Sequence, residues 1–228
     1  SGTKELDFKL PGNCPGPILF YSGNEGPIDA FWDSNGFMQE LAAKWGGLLI
    51  FAEHRYYGTS MPFGKKSLAP ENAVFLSTEQ ALADYAMLLT ELKSSILPNA
   101  TECPVISFGG SYGGTLTTYF RLKYPQVIIG GLAASAPIGY YANGGWGSHG
   151  VNEFTWIDIV NKVYAEAETG CLDHLREAAQ LIDSTGVTER GRKQLAETFH
   201  LCAPLSSNQP LTDWFTDAIE TLPQLNYP

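Results

Sequence analysis

Four apolar runs alternate with helix-like segments along the first part of the chain, and this alternation constrains the fold more than any other feature. The runs lie at residues 18–21, 48–52, 105–108 and 127–134. None of them alternates between apolar and polar residues, so each is typical of a strand that is buried on both faces. Buried strands separated by helices predict a parallel sheet with helices on both sides.

The pattern changes after residue 140. A glycine-rich loop at 141–150 is followed only by amphipathic helical stripes, the first of them at positions 154, 157, 160 and 164. We therefore predict an α/β fold in two parts. Residues 1–140 form a partial core with a parallel sheet, residues 141–228 form part of an all-helical cap, and the fold is incomplete at its C-terminal end.

Composition and charge exclude several classes of protein. Hydrophobic residues make up 44% of the 228, which is enough for a packed core, yet no apolar run approaches the roughly 18 residues of a membrane span. The formal net charge of −10, without a basic stripe, argues against nucleic-acid and anionic-membrane partners. No P-loop lysine and no CxxC pair is present, so we expect no cofactor and no metal. The oligomeric state stays open.

The motif that carries chemistry is G-x-S-x-G at residues 109–113. It follows an apolar run and opens a helical segment, which is the strand–turn–helix setting of a nucleophile elbow. In that setting Ser111 stands at the helix N-terminus, where the helix dipole and the Tyr112 N–H face a developing oxyanion. A second oxyanion donor would come from the loop after the first run, at residues 22–26, where glycines let the backbone approach a substrate oxygen. The alternative is an ordinary glycine-rich turn.

Four blocks in a fixed order carry a specific resemblance. They are Gly-Asn-Glu-Gly at 23–26, Phe-Ala-Glu-His-Arg-Tyr-Tyr-Gly at 51–58, Gly-Gly-Ser-Tyr-Gly-Gly at 109–114 and Leu-Ala-Ala-Ser-Ala-Pro at 132–137. Together they resemble the serine carboxypeptidase family S28. Residues 171–205 also resemble the helical cap of that family, more loosely.

The resemblance implies an α/β-hydrolase core with a helical cap, and exopeptidase action on peptides with a proline near one terminus. It implies an acyl-enzyme on Ser111, with Tyr112 and Gly23 or Asn24 in the oxyanion region. It also implies passage through the secretory pathway to a lysosome or vacuole, or secretion. Carboxypeptidase and dipeptidyl peptidase action are not separated. An esterase or lipase on the same fold, or a non-catalytic truncated homologue that binds peptides or a partner, remain alternatives.

A serine nucleophile needs a base and an orienting acid, and in this fold both follow it in the chain as Asp or Glu and then His. His149, His174 and His200 do follow Ser111, but they lie in the glycine-rich loop or on cap helices. His54 precedes it, and a structural hydrogen-bond role suits it better. We therefore expect an N-proximal part of a longer enzyme that lacks the triad Asp and His and is inactive alone.

The four cysteines predict two disulfides. Cys171 and Cys202 bracket a helical hairpin, whose closure would stabilise by about 3.7 kcal/mol. Cys14 and Cys103 precede two strands that are neighbours in a hydrolase sheet, so they should lie close together. Four buried free thiols are the alternative.

Asn99-Ala100-Thr101 is a glycosylation sequon after Pro98. Glycosylation at Asn99 and disulfides both agree with an oxidising, secretory environment.

Overall fold

A computed structural model of the chain describes residues 10–138, 152 and 154–225. The chain divides into two compact units, Ser1–Ala142 and Asn143–Pro228. The boundary expected from the sequence, between residues 140 and 141, lies two residues from this division. Each unit is described below by itself.

The first unit alternates strands and helices. Its strands are β1 (Ile18–Ser22), β2 (Leu48–Ala52), β3 (Val105–Gly110) and β4 (Gly130–Ala134). Its α-helices are α1 (Ile28–Asp33), α2 (Gly36–Trp45), α3 (Pro70–Ala73), α4 (Thr78–Glu91) and α5 (Tyr112–Lys123). Short 3₁₀ turns lie at Gly64–Lys66 and Pro98–Ala100, and a π turn lies at Leu92–Ile96.

The four strands form one parallel sheet in the order β2-β1-β3-β4, which confirms the predicted sheet. In the register, Ile18 pairs with both Leu48 and Val105. The run predicted as a strand from residue 127 enters the sheet only at Gly130. Its first residues form a turn instead, because the N–H of Val127 donates to the Tyr124 carbonyl at the end of α5.

Helices cover both faces of the sheet, as the non-alternating runs require. Because successive side chains of a strand point to opposite faces, β1 contributes to two cores. On one face Phe20 packs with the α4 and α5 side chains, which include Tyr85, Leu89, Leu116 and Phe120. On the other face Leu19 and Tyr21 pack with Met38, Phe108 and neighbouring apolar residues. All five residues of β1 are buried, so the loop that follows it starts from a rigid strand.

The N-terminus of α4 is capped by the Ser77 side chain. The Ser77 hydroxyl accepts a hydrogen bond from the Gln80 N–H, with Oγ and N 3.3 Å apart. The Gln80 side chain does not return to Ser77. It accepts instead from Arg55, with Oε1 and Nη1 2.9 Å apart, and so links the helix to the loop after β2.

The described part of the second unit is helical. It contains α6 (Thr155–Ala167), α7 (Cys171–Gly186), α8 (Glu189–Thr198) and α9 (Gln209–Leu225). Ile182, Leu195 and Leu211 form its buried core, with Phe199 and Phe215 packed against them. None of the described helices of either unit is long and apolar enough to cross a membrane.

One of the two predicted disulfides is present. Cys14 and Cys103 are bonded, with their Cα atoms 5.0 Å apart, at the amino ends of the neighbouring strands β1 and β3. The predicted Cys171–Cys202 bridge is wrong for this structure, since both residues are free thiols. Cys171 begins α7, which has 16 residues and is about 24 Å long, whereas Cys202 follows α8, which has 10 residues and is about 15 Å long.

Candidate active site

Ser111 lies in the turn between β3 and α5 with a backbone conformation that is rare for its type. Its φ is 54° and its ψ is −126°, a strained combination for a residue with a Cβ. The Ser111 N–H donates to the Ala134 carbonyl at 2.9 Å, and the Ser111 carbonyl accepts from the Thr115 N–H at 3.1 Å. The side chain is exposed, and its hydroxyl has no hydrogen-bond partner within the described part of the chain. The strained bend thus presents a free hydroxyl at the carboxyl end of the sheet.

The two fixed glycines of the motif are required by close backbone contacts. A Cβ on Gly109 would lie 2.0 Å from the Gly113 carbonyl oxygen, and one on Gly113 would lie 2.8 Å from the Ser22 carbonyl oxygen. A Cβ on Gly110, at a variable position of the motif, would meet nothing within 4 Å. The motif therefore follows from the tightness of the turn.

Three buried hydroxyls fasten α5 to the sheet below this turn. Ser22 and Ser107 Oγ atoms are 2.9 Å apart, and Ser107 Oγ is 3.2 Å from Thr117 Oγ1. Thr117 also donates to Ser22 at 3.4 Å, which closes a ring of hydrogen bonds between β1, β3 and α5. Because each hydroxyl both donates and accepts, the ring needs no other partner in the core.

The structure of the loop after β1 argues against Gly23, one of the two residues predicted as the second oxyanion donor. The Gly23 N–H donates to the Ala52 carbonyl at 3.1 Å and extends the β1–β2 ladder, so it is not available to a substrate oxygen. Gly23 is needed there for its size, since a Cβ would lie 2.1 Å from the Ala52 oxygen. Among the described residues no acceptor bonds the Asn24 N–H. The Asn24 Oδ1 lies only 3.2 Å from where a Cβ on Gly113 would be, which places this loop against the first turn of α5.

Tyr112, the first residue of α5, is held in place by hydrogen bonds to its side-chain hydroxyl. Its hydroxyl lies 3.2 Å from His54 Nε2 and 3.1 Å from Thr78 Oγ1. His54 is fully buried, and its Nδ1 is 2.6 Å from the Arg55 carbonyl. A carbonyl only accepts, so Nδ1 carries the proton and the neutral ring accepts from Tyr112 at Nε2. Burial lowers the pKa of His54, which favours this neutral form.

Both ring nitrogens of His54 are therefore engaged away from Ser111, as its expected structural role requires. His174 and His200 are exposed residues of the second unit, and His149 lies outside the described residues. No histidine that the structure describes bonds the Ser111 hydroxyl.

The loop after β2 is organised by Glu53, which the sequence reasoning did not single out. Its carboxylate accepts from the N–H groups of Ile28, Thr59 and Ser60 at 3.0, 2.9 and 2.7 Å. Desolvation by itself raises the pKa of Glu53, but these hydrogen bonds together outweigh it and lower the pKa. The carboxylate thus ties the loop to the start of α1.

A paired ion contact holds the same loop to α4. Arg55 donates twice to Asp84, with Nε–Oδ2 and Nη2–Oδ1 distances of 2.6 Å each. The Glu-His-Arg triplet in the second block of the sequence was the available signal for these contacts. The charged side chains of Glu53 and Arg55 fix the loop after β2. This loop carries His54, whose ring accepts the hydrogen bond from the Tyr112 hydroxyl.

No group of three or more His, Cys, Asp or Glu side chains within residues 10–138, 152 and 154–225 is arranged to hold a metal ion.

Comparison with known proteins identifies the group to which this arrangement belongs. The family model of serine carboxypeptidase S28 matches residues 8–224. Lysosomal Pro-X carboxypeptidase of Mus musculus is 41% identical over 219 residues, which cover 93% of this chain and 43% of the mouse protein. The Homo sapiens protein of the same name is 41% identical over 216 residues, 93% of this chain and 42% of its own length. Thymus-specific serine protease of Mus musculus is 41% identical over 122 residues, 54% of this chain and 23% of that protein.

The chain therefore spans less than half the length of the lysosomal relatives that it matches. The family match covers the sheet, the strained serine and the described helices of the second unit. The chain belongs to the serine carboxypeptidase S28 family.

Proposed function

We propose that the protein is a serine exopeptidase that cleaves peptides beside a proline near one terminus, with Ser111 as the nucleophile. The observation that carries this proposal is the exposed Ser111 hydroxyl on a backbone with φ of 54° between β3 and α5. A strained residue persists where the surrounding structure fixes it, and such residues cluster at functional sites. A domain that only bound peptides would have no use for this strain.

The chemistry is acyl transfer through a covalent intermediate. Ser111 Oγ loses its proton to a base and attacks the scissile carbonyl carbon, the bond to the leaving group breaks, and water then hydrolyses the acyl-enzyme. The negative charge that develops on the carbonyl oxygen is stabilised by the N–H groups of Tyr112 and Asn24. Tyr112 supports this role as the first residue of α5, where the helix dipole favours negative charge. Asn24 supports it through its position against the same turn of α5.

We propose that the base and its acid partner come from outside residues 1–228. The described histidines support this, since His54 is engaged at both nitrogens and His174 and His200 are exposed in the second unit. The relatives named above are more than twice as long as the part that this chain matches. The chain then provides the nucleophile and the oxyanion donors, and the missing groups complete the triad.

The names of the relatives support a particular substrate. Two of them are Pro-X carboxypeptidases, which favours release of a C-terminal residue that follows a proline over release of an N-terminal dipeptide. Their lysosomal names also support a lysosomal location for this protein. The Cys14–Cys103 disulfide and the exposed sequon residue Asn99 agree with the oxidising secretory route to that compartment.

The test uses the full-length gene product, its S111A variant and three substrates of matched concentration. These are a blocked peptide that ends in Pro-Phe, a chromogenic Xaa-Pro dipeptide and a simple nitrophenyl ester. We expect release of Phe from the first, little reaction with the other two, and no release by S111A. Preference for the dipeptide would indicate a dipeptidyl peptidase, and preference for the ester would indicate an esterase; either outcome contradicts the carboxypeptidase proposal.

A second arm tests the missing triad. A fluorophosphonate probe is expected to label Ser111 in the full-length gene product and not in a polypeptide limited to residues 1–228. Labelling of the short polypeptide at the full-length rate would show that a base lies within it.

A further inference from the structure

The buried phenol of Tyr85 donates a hydrogen bond to the Gly23 carbonyl, in the peptide unit that also carries the Asn24 N–H. Tyr85 lies on α4, is 1% exposed and donates its hydroxyl to the Gly23 carbonyl at 2.6 Å. The contact joins residues 62 positions apart in the sequence. The contact therefore links α4 to the loop after β1, which carries the proposed oxyanion donor Asn24.

The geometry of the peptide unit makes this bond directional. The chain has no cis peptide bond among its described residues, so the Gly23 carbonyl and the Asn24 N–H point in opposite directions. Tyr85 fixes the direction of the Gly23 carbonyl, and with it the opposite direction of the Asn24 N–H. The Gly23 N–H is held by Ala52 at 3.1 Å, so Gly23 is fixed at both of its backbone polar groups.

We infer that Tyr85 is a positioning residue, whose hydroxyl orients the Gly23–Asn24 peptide so that the Asn24 N–H serves as the second oxyanion donor. The inference rests on the proposed function. It concerns a residue that does not contact substrate, and it predicts an effect on the transition state rather than on substrate binding.

The surroundings of Tyr85 suit a fixed donor. Its ring packs against Phe20 and Phe120, with centroids 5.4 and 6.3 Å apart, so the phenol has little freedom to turn. Burial, with smaller contributions from neighbouring phenols and carboxylates, raises the pKa of Tyr85. The hydroxyl therefore keeps its proton and donates across the pH range in which a lysosomal enzyme works.

The Asn24 side chain is held separately. Its Oδ1 lies 3.4 Å from the Tyr21 hydroxyl, and its Nδ2 donates to Glu25 at 2.8 Å. These contacts fix the side chain without using the Asn24 N–H. The Asn24 carbonyl accepts from the Gly26 N–H at 2.8 Å, whereas the Asn24 N–H has no acceptor among the described residues.

The experiment compares Tyr85→Phe with wild type in the full-length gene product. Loss of the Tyr85 hydroxyl leaves the Asn24 N–H present but loosely oriented. Small misplacements of catalytic groups cost up to about 100-fold in rate. We expect kcat to fall about tenfold or more with KM changed less than about twofold. The affinity of a prolyl boronic acid, which forms a tetrahedral adduct with Ser111, should fall by the same factor as kcat. The affinity of the peptide product should not change.

Two further variants separate positioning from folding. Leu89→Ala removes packing from the same core, one turn along α4, without touching the Gly23 carbonyl, and it should lower thermal stability while kcat stays near wild type. Replacement of Tyr85 by p-aminophenylalanine restores a ring donor and should recover most of the lost kcat. Should the Tyr85→Phe variant fold poorly, the aminophenylalanine protein compared with Leu89→Ala still provides the test.

The outcomes distinguish this inference from the proposed function. If wild type cleaves the Pro-Phe peptide and labels at Ser111, but Tyr85→Phe keeps its kcat and boronate affinity, the positioning role is overturned and the peptidase proposal stands. The positioning role is also overturned, with the peptidase proposal standing, if the kcat and the product affinity of Tyr85→Phe fall together. If wild type neither cleaves nor labels, the proposed function itself fails, and the positioning role fails with it.

Discussion

The two adjacent glycines of the elbow allow a matched test of the turn, because an alanine should be tolerated at one and not at the other. A methyl group at Gly109 would lie 2.0 Å from the Gly113 carbonyl oxygen, whereas ordinary contact begins at 3.4 Å. The obstacle is backbone, so relief requires the first turn of α5 to move by roughly 1 Å, a misplacement that costs about 100-fold in rate at a reacting group. Overpacking of this kind also costs about 1–3 kcal/mol of stability. A methyl group at Gly110 meets nothing within 4 Å.

The assay measures fluorophosphonate labelling of Ser111 and kcat/KM for the Pro-Phe peptide in the full-length gene product, with a thermal melt for each variant. Gly109→Ala should label about 100-fold more slowly than wild type, and Gly110→Ala should label within about threefold of it. The melt shows whether the Gly109 variant is folded. Equal rates for the two variants, with both folded, would refute the argument that the tight turn places the nucleophile.

Two stability predictions concern the first unit. Replacing Cys14 and Cys103 by Ser opens a disulfide of sequence separation 89, which should lower the free energy of unfolding by up to about 4.6 kcal/mol on the chain-entropy model. The control Cys171→Ser removes a free thiol and should leave the free energy of unfolding unchanged. Equal urea midpoints for the two proteins would contradict this prediction. The pKa of His54 lies below the ordinary 6.5, so the unfolded chain binds a proton that the folded chain does not, and the free energy of unfolding should fall as the pH drops below 6.5 and through the lowered pKa. Urea titrations across this range should show a flatter profile for His54→Gln than for the surface control His174→Gln, and equal slopes would count against the buried neutral ring.

The sheet could be predicted from the sequence because its signal is local. Each strand is a continuous apolar run, and burial on both faces leaves little choice of residue. The elbow was equally readable, since close backbone contacts at Gly109 and Gly113 exclude any side chain there. The Cys14–Cys103 bond followed from the expected neighbourhood of two strands.

Features that depend on contacts between distant segments were not readable. The proposal of Asn24 rather than Gly23 as the oxyanion donor depends on a hydrogen bond from Gly23 to Ala52, which only the strand register reveals. The contact of Tyr85 with that loop spans 62 residues, and its position among apolar residues of the sequence does not indicate that its hydroxyl bonds a distant backbone carbonyl. The free state of Cys171 was not readable either, because the apolar stripes do not define the ends of the helices to the residue.

One hydrogen bond joins Ser111 to the most exposed strand of the sheet. Among the described residues β4 pairs only with β3, most of its residues are exposed, and Leu132 is 45% exposed. An open strand of this kind recruits strands from other molecules, which is a common origin of aggregation. Since the Ala134 carbonyl of β4 accepts the Ser111 N–H, a displacement of this strand would also move the strained bend at Ser111. The position of the open strand β4 and the backbone geometry of Ser111 are therefore coupled through this hydrogen bond.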